Sequence, residues 1–282
     1  VARVQIKMMR HRIHHLCITA GGSDKEAVLG ILSEHDLLVL QGNNPAILIR
    51  EIKRSKNANE LRELRVKGEQ LLQGYLEREV AIDFIADVMT EINDALIHRV
   101  IEIGIAALKA GGQALPNDVP WSWWGLGSEG RGEQLLRTDQ DNALIFADVP
   151  EEQLESTRAQ FLRLARRVTT ALHQAGFAYC PADMMASNPK WCLSAKEWKD
   201  QFSEWILSPT PQNILHCNIF FDYRSLYGDS TLAETIGAHI YSTIEQQGTF
   251  LSLLAKNALE NPPPLTFFRN FVIEKDGKHK DA

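Results

Sequence analysis

The stretch WSWWGLGSEGRGEQLLRTDQDNALIF, from Trp121 to Phe146, decides the fold of this chain. Its bulky apolar start predicts a buried strand over Trp121–Leu126, which we expect to be central in its sheet. A Gly-Ser turn and a short helix follow. A second strand is predicted to begin at Thr138 and to continue through the apolar run Ala143–Phe146.

Two acidic residues lie at the start of the second predicted strand. Asp139 and Asp141 are two positions apart, and strand side chains alternate with a period of two, so both carboxylates are expected on one face. The apolar run that follows them places the pair at the N-terminal end of a buried strand. Metal-assisted phosphoryl transfer requires paired carboxylates in such a position, because they bind the cation that neutralises charge on the reacting phosphate.

A glycine-rich turn precedes the acid pair. Gly127 and Ser128 begin it, and Gly130 and Gly132 follow, so the backbone can approach a ligand closely and point N–H groups at phosphate oxygens. Turns of this kind are common and are weak evidence alone. A Gly-Ser pair followed, after the ten residues 129–138, by Asp-Gln-Asp at the start of a strand is a far more specific combination.

Composition and charge argue against several classes of protein. The chain has 282 residues, enough for two or three modules, and its 44% hydrophobic and 23% charged residues are ordinary for a globular protein. The net charge of −6 argues against binding to nucleic acid or anionic membrane, since both call for a basic surface. No apolar run approaches the roughly 20 residues of a membrane span. Four scattered cysteines without CxxC pairing indicate a reduced, cytoplasmic setting.

The Gly-Ser and Asp-Gln-Asp motifs together resemble the hallmark of the nucleotidyltransferases related to DNA polymerase β. The longer string GSEGRGEQLLRTDQDNALIF is similar to a bacterial family of nucleotidyltransferases linked to CBS and cyclic-nucleotide-binding domains. That family resembles the N-terminal domain of protein-PII uridylyltransferase. The resemblance covers nearly the whole chain and implies an α+β fold, with a mixed sheet flanked by helices.

The resemblance also implies roles for individual residues. Gly127 and Ser128 would bind the triphosphate of a nucleoside triphosphate (NTP), and Asp139 and Asp141 would ligate Mg²⁺ in a two-metal site. Two ions roughly 3.5–4 Å apart would bridge the attacking and leaving oxygens. The resemblance therefore implies transfer of a nucleotidyl group to a hydroxyl.

Further residues are candidates for the same site. Asp222, at the end of the predicted strand Cys217–Phe221, is the candidate for the superfamily's third acid, as metal ligand and proton acceptor, or it could cap the next turn. Arg131 could pair with a phosphate or equally with a nearby acid. Lys190 is a candidate phosphate contact, and Trp191 beside it could stack on a base or belong to the core.

Residues 1–43 resemble the later part of a CBS domain. Strands are predicted over Arg12–Thr19 and Val28–Ser33, with a helix beginning near Asp36. In the CBS family the closing motif contacts the phosphate and ribose of an adenine nucleotide, which implies that role for Ser33 and Asp36. Ser33 could instead cap the following helix, and the two roles are compatible. Only part of one CBS domain is present, so its pocket would be incomplete.

Helical patterns predict the remaining organisation. Residues 44–112 indicate a connector of packed helices, either a plain bundle or a relay from sensor to catalytic domain. The nucleotidyltransferase domain would cover residues 113–228, and residues 229–282 resemble the start of a helical substrate-binding domain that is cut short. We expect a homo-oligomer formed through the CBS or helical segments.

Together these observations predict a cytoplasmic, Mg²⁺-dependent nucleotidyltransferase regulated by an adenine nucleotide at its CBS module. The acceptor implied by the resemblance is a hydroxyl on a signalling protein. Neither nucleic acid nor membrane is expected as a partner. The alternative is a catalytically inactive, nucleotide-binding regulatory protein in signal transduction.

Overall fold

The computed structural model describes Met8 and residues 13–33, 44–135, 139–245 and 247–260. In chain order, its elements are β1 (His15–Thr19), β2 (Val28–Ser33), α1 (Pro45–Arg54), α2 (Ala58–Leu76), α3 (Ile82–Ala110), β3 (Trp121–Gly125), α4 (Gly127–Gly130), β4 (Asp139–Gln140), β5 (Asn142–Phe146), α5 (Glu151–Gln174), β6 (Ala178–Tyr179), β7 (Cys192–Ser194), α6 (Ala195–Leu207), α7 (Pro211–Phe220), β8 (Arg224–Gly228), α8 (Thr231–Ile244) and α9 (Gly248–Glu260). A 3₁₀ turn covers Pro189–Trp191.

The chain forms two compact units, each built from separated stretches of sequence. The first comprises the described parts of Val1–Leu115, Gly132–Gln140 and Arg163–Asp183. The second comprises the described parts of Pro116–Arg131, Asp141–Leu162 and Met184–Ala282. Helix α5 therefore contributes its C-terminal part to the first unit and its N-terminal part to the second.

The helices α1 to α3 of the first unit begin at sequence signals that predict them. Asn44 caps α1 by accepting the amide of Ala46 at 2.9 Å, and Pro45 occupies the first helical position. Asn57 caps α2 by accepting the amide of Glu60 at 3.0 Å. The helices predicted between residues 44 and 112 are thus confirmed. No helix in the described part of the chain is long and apolar enough to cross a membrane.

An antiparallel hairpin of β1 and β2 also belongs to the first unit. His15 faces Ser33 across the pair, so both strands predicted in this segment are confirmed from His15 onward. Several of its apolar side chains are exposed, among them Leu29 and Ile31. Arg12 and the helix predicted near Asp36 lie outside the described residues.

The second unit contains a four-stranded sheet in the order β7-β5-β3-β8. Strand β3 is antiparallel to both β5 and β8, whereas β5 is parallel to β7, so the sheet is mixed as predicted. Trp121 faces Phe146, and Gly125 faces Asn142. Both central strands are almost fully buried, which explains their continuous apolar sequence.

Aromatic side chains from α6 cover one region of this sheet. The ring centroids of Trp124 and Trp198 lie 5.5 Å apart, and Tyr223 stacks on Trp124 at 4.7 Å. The indole N–H of Trp198 donates to the carbonyl of Leu144 at 3.2 Å, so its polar atom is satisfied in the core. The aromatic face of α6 therefore packs on the sheet.

The predicted strand Cys217–Phe221 is wrong, because this run forms the second half of helix α7. Thr210 caps that helix, and Pro211 takes its first position, both of which are helix-start signals. Asp222 therefore follows a helix, and the next strand begins only at Arg224.

A buried ion pair joins α5 to the start of α6 within the second unit. Arg158 is only 8% exposed and contacts Glu197 at 2.5 Å, while it also donates to the carbonyl of Cys192 at 2.9 Å. Glu197 accepts the amide of Ser194 at 2.8 Å in a capping box. Burial acts to raise the pKa of Glu197, but hydrogen bonds from Arg158 and Ser194 outweigh it and lower that pKa.

Replacing Glu197 by glutamine is expected to lower the free energy of unfolding by about 3 kcal/mol, because the buried Arg158 would keep only Glu155, a largely exposed acid 3.2 Å from its Nε atom, as an anionic partner. Since the folded pKa of Glu197 lies below its ordinary value of 4.5, the carboxylate stabilises the fold above that pH. This contribution is lost as pH falls through the folded pKa. Urea unfolding at pH 7 and along an acid series measures both effects. The matched control is Glu204→Gln, an exposed acid on the same helix; equal stability of the two variants would contradict the prediction.

Candidate active site

The pairing of β3 with β5 brings the glycine turn next to the acidic segment. Gly125, near the end of β3, faces Asn142 at the start of β5. Leu126, the next residue, donates its amide to the carbonyl of Asp141 at 2.9 Å. The C-terminal end of β3 therefore lies beside the N-terminal end of β5. The turn that begins at Gly127 follows the first of these ends, and Asp141 precedes the second. Main-chain hydrogen bonds alone set this arrangement.

Glycine is required in the turn for two different physical reasons. Gly127 has φ +52°, in the left-handed region that side chains disfavour, and no neighbouring atom lies within 4 Å of a Cβ built there. At Gly130 the reason is close packing, because a Cβ there would overlap the main-chain carbonyl of Asp222. The half-buried Ser128 lies between them in the one-turn helix α4. The glycines thus allow a tight turn that the segment around Asp222 closely approaches.

The two acids lie at a break between strands and not in one continuous strand. Asp139 belongs to β4, β5 begins at Asn142, and Asp141 connects them. Thr138 lies outside the described residues. Within the first unit, a ligand atom of Asp139 lies within 4.8 Å of one from Cys180. The prediction that both acids lie in one continuous strand is wrong.

Cys180 reaches Asp139 through a strand pairing that the sequence did not predict. Strand β4 pairs in parallel with β6, with Asp139 opposite Ala178, and Cys180 follows β6 directly. The Cys180 side chain is buried. Carboxylate oxygens are the ligands that Mg²⁺ prefers, whereas a thiolate suits softer metals such as zinc. The acid pair therefore fits Mg²⁺, and the sulfur does not.

Side chains from α3 anchor the segment that leads into β4. Thr90 donates its hydroxyl to the carbonyl of Gly132 at 2.7 Å, and Asn93 donates to the carbonyl of Gln134 at 3.0 Å. Gln134, itself buried, donates to the carbonyl of Asp139 at 3.1 Å. These positioning residues were missed, because a polar residue inside an amphipathic helix carries no local sign of a distant backbone partner.

Asn142 fixes the main chain on the other side of Asp141. Its side-chain oxygen accepts the amide of Ala186 at 2.9 Å, and its own amide donates to the carbonyl of Met184 at 3.0 Å. The residue is 5% exposed, so both hydrogen bonds lie inside the protein. The residue after the acid pair is thereby held by a loop more than forty residues away in sequence.

Asp222 is paired with Arg131. One guanidinium nitrogen lies 2.6 Å from a carboxylate oxygen, and both side chains are partly exposed, at 44% for Arg131 and 36% for Asp222. Among the described residues, no group of converging metal-ligand atoms contains Asp222. Next along the chain, Arg224 donates to the carbonyl of Glu129 at 3.2 Å. This second contact ties β8 to the glycine turn.

The other predicted binding residues lie in different surroundings. Lys190 is exposed in the 3₁₀ turn, whereas Trp191 is buried against Phe220 with ring centroids 4.5 Å apart. Lys190 also acts on His216, whose ring lies against Trp191. Burial lowers the pKa of His216, and the positive charge of Lys190 lowers that pKa further. Trp191 therefore packs in the core in this structure.

The residues predicted to bind an adenine nucleotide are only partly described. Ser33 ends β2 and faces His15 of β1. Asp36 lies outside the described residues.

The mixed sheet, in which the residue before the Gly-Ser turn is hydrogen-bonded to Asp141, is consistent with a nucleotidyltransferase domain. Residues 67–212 match the family described as "Putative nucleotidyltransferase DUF294". This match spans more than half of the 282 residues, and the chain belongs to that family. Residues 248–282 match a "Putative nucleotidyltransferase substrate binding domain". A comparison with curated proteins gives no match.

Proposed function

We propose that the protein is a Mg²⁺-dependent enzyme that transfers a nucleotidyl group from an NTP to a hydroxyl. The hydrogen bond from the Leu126 amide to the Asp141 carbonyl carries the proposal, because it joins the two halves of the motif in space. A triphosphate bound at the glycine turn would meet the acid pair directly. The family match supports the class of reaction.

The residues of the turn and the acid pair have complementary roles in this proposal. The backbone of Gly127 and Ser128 binds the triphosphate, since the turn exposes main-chain N–H groups without bulky side chains. Asp139 and Asp141 hold Mg²⁺ with hard oxygen ligands. The cation, when bound, neutralises charge that develops on the reacting phosphate. The hydrogen bond from Gln134 to the main-chain carbonyl of Asp139 and the hydrogen bonds between Asn142 and the 184–186 loop hold the main chain on either side of the acids.

Cationic and acidic groups near the turn complete the proposed site. Arg131 binds a phosphate of the nucleotide, since a guanidinium matches two phosphate oxygens. Asp222 accepts the proton of the attacking hydroxyl and contributes to metal binding. The close approach of the Asp222 main chain to Gly130 supports this, because it brings Asp222 beside the glycine turn that Arg131 follows. Lys190, exposed after Asn188, is a further phosphate contact.

The regulation and the acceptor belong to the same proposal. The hairpin β1–β2 would be part of a CBS-like module that binds an adenine nucleotide at Ser33 and Asp36, and the acceptor would be a protein hydroxyl, as in protein-PII uridylyltransferase. Calorimetric titration with AMP and ATP tests the binding of an adenine nucleotide, and absence of heat would contradict it.

The exposed apolar side chains of the hairpin support a homo-oligomer. A monomer in analytical ultracentrifugation would contradict that.

Binding of an NTP is expected to raise the thermal midpoint only when Mg²⁺ is present. Without the cation, the two carboxylates repel the triphosphate. At a ligand concentration of about 100 times Kd, the stabilisation is about 2.7 kcal/mol, which shifts the midpoint by several degrees. Thermal-shift measurements with each of the four NTPs, with Mg²⁺ or with EDTA, test this. Equal shifts in both conditions would count against the proposed reaction.

The second candidate function is an inactive nucleotide-binding regulator. The observation that favours it is the pairing of Asp222 with Arg131, which occupies both the candidate third acid and the candidate phosphate ligand. Such a protein would bind a nucleoside monophosphate or dinucleotide without metal. The same thermal-shift series, extended to nucleoside monophosphates and dinucleotides, separates the two functions.

A further inference from the structure

A cleft of about 590 Å³ opens in the first unit between the C-terminal part of α3 and the C-terminal part of α5. This volume is within the range of small-molecule sites, about 300–1,000 Å³. Its α3 wall is largely apolar and includes Val100, Ile103 and Ala107. Gly104 lies in the same wall, and a Cβ there would come within 3.3 Å of Leu164 on α5, so this glycine permits the close approach of the two helices.

The opposite wall is strongly cationic. Arg163, Arg166 and Arg167 of α5 line the cleft, and Lys56 from the α1–α2 connection joins them. No aspartate or glutamate occurs among the described residues that line it. Within the described part of the chain, none of the three arginine side chains forms an ion pair. Four like charges around one apolar cavity repel each other unless an anion joins them.

Arg163 adds a second, independent sign of a missing partner. Its Nε atom is shielded from solvent and has no hydrogen-bond partner among the described residues. Buried polar atoms are nearly always hydrogen-bonded, because an unpaired one retains the full cost of desolvation. An acceptor that binds in the cleft would satisfy this atom.

The start of helix α2 borders the cleft but does not provide the anion site. Glu60 already accepts the amide of Lys56 at 2.7 Å and a side-chain N–H of Asn57 at 2.9 Å. The positive end of that helix is therefore neutralised by the chain itself. The guanidinium groups of α5 remain the donors for a ligand.

We propose that this cleft binds a phosphate monoester that carries an apolar group. The apolar group packs on the α3 wall, and the phosphate accepts hydrogen bonds from Arg163 and Arg167. A phosphate monoester carries about 1.5 to 2 negative charges at neutral pH, which suits a site with four cations better than a single carboxylate does. None of the lining residues belongs to the acid pair or the glycine turn, so the cleft is a second site, independent of the proposed transferase reaction.

Calorimetric titration of the full chain with octyl phosphate tests the proposal without any need for enzyme turnover. Octyl phosphate, below its micelle concentration, is expected to bind with saturable heat. Inorganic phosphate tests the anion alone, and octyl glucoside tests the apolar chain alone. Each is expected to bind at least about tenfold more weakly, because it lacks one half of the recognition. Equal affinity for octyl phosphate and inorganic phosphate, or no saturable binding of octyl phosphate, would overturn the proposal.

Variants then locate the binding. The double variant Arg163→Gln/Arg167→Gln is expected to weaken octyl phosphate binding about a hundredfold, near tenfold for each lost charge-assisted contact. Ala107→Phe, which fills the cleft from the apolar wall, should block it. Arg62→Gln, an exposed arginine on α2 outside the cleft, and Asp139→Asn in the acid pair should both bind as the unmodified protein does.

The variants also provide the decisive negative result. The proposal is overturned if the double arginine variant or Ala107→Phe binds octyl phosphate with wild-type affinity. It is also overturned if Asp139→Asn loses as much affinity as they do, because the binding would then lie outside the cleft. Circular dichroism checks that each variant folds. If the double variant does not fold, Arg167→Gln alone serves instead, because Arg167 is exposed.

Discussion

Asp139→Asn and Asp141→Asn are each expected to lower nucleotidyl transfer by about a thousandfold or more while the fold remains intact. The amide has the shape of the carboxylate but not its charge, so the site loses an anionic ligand for Mg²⁺. Both side chains are partly exposed, which limits any cost in stability. The measurement is pyrophosphate release and transfer of labelled α-phosphate from each NTP.

The control for this experiment is Asp118→Asn. Asp118 is an exposed acid in the connection before β3, and its replacement removes the same charge from the same unit as Asp141. It should leave transfer unchanged. Unchanged transfer in Asp139→Asn or Asp141→Asn would remove the acid pair from the proposed site. Urea unfolding of all variants shows whether any loss of activity comes from the fold.

Gly130→Ala is expected to destabilise the protein by about 3 kcal/mol or more, a cost typical of forced overlap between main-chain segments. The added Cβ would overlap the carbonyl of Asp222, and neither segment is a flexible side chain that could move aside. The displacement should also lower transfer, because Gly127 and Ser128 belong to the same one-turn helix. Urea unfolding and the transfer assay measure the two effects.

Gly248→Ala is the matched control for the glycine experiment. Gly248 has no neighbouring atom within 4 Å of an added Cβ, and it begins helix α9, where alanine is acceptable. Its replacement should change the stability by less than about 1 kcal/mol. If Gly130→Ala is as stable as Gly248→Ala, the close approach of the turn to Asp222 is not a constraint on the folded protein.

Local sequence patterns predicted most of the secondary structure. The central strands β3 and β5 and the helices α1 to α3 lie where periodicity and capping signals placed them. These signals act within a few residues, so a single sequence contains them. The proximity of the Gly-Ser turn and Asp141 also follows, because strands that are close in sequence commonly pair in one sheet.

The errors occurred where a short apolar run fits two structures. The run Cys217–Phe221 reads equally well as a buried strand or as one side of a helix, and the Thr210-Pro211 start signal decides for the helix.

The acid pair was wrongly assigned to one strand because the extended chain changes its partner strand between Gln140 and Asn142. Strand β4 pairs with β6, and β5 pairs with β3.

Contacts between distant segments were not predictable from one sequence. Cys180 lies forty-one positions after Asp139 and approaches it only because β6 pairs with β4. Asn93 and Gln134 likewise meet across forty-one residues. No periodicity relates such positions, and only the folded backbone brings them together.

The contact between Arg131 and Asp222 has a consequence for how ligands would act on one another. If Arg131 binds phosphate and Asp222 binds metal, each must leave its present partner, so the arrival of one ligand releases the group that the other needs. The pair is partly exposed and therefore worth only about 0.2–1 kcal/mol, so either ligand can break it readily. Triphosphate and cation would then strengthen each other's binding by the same factor, a reciprocity that thermodynamic linkage requires.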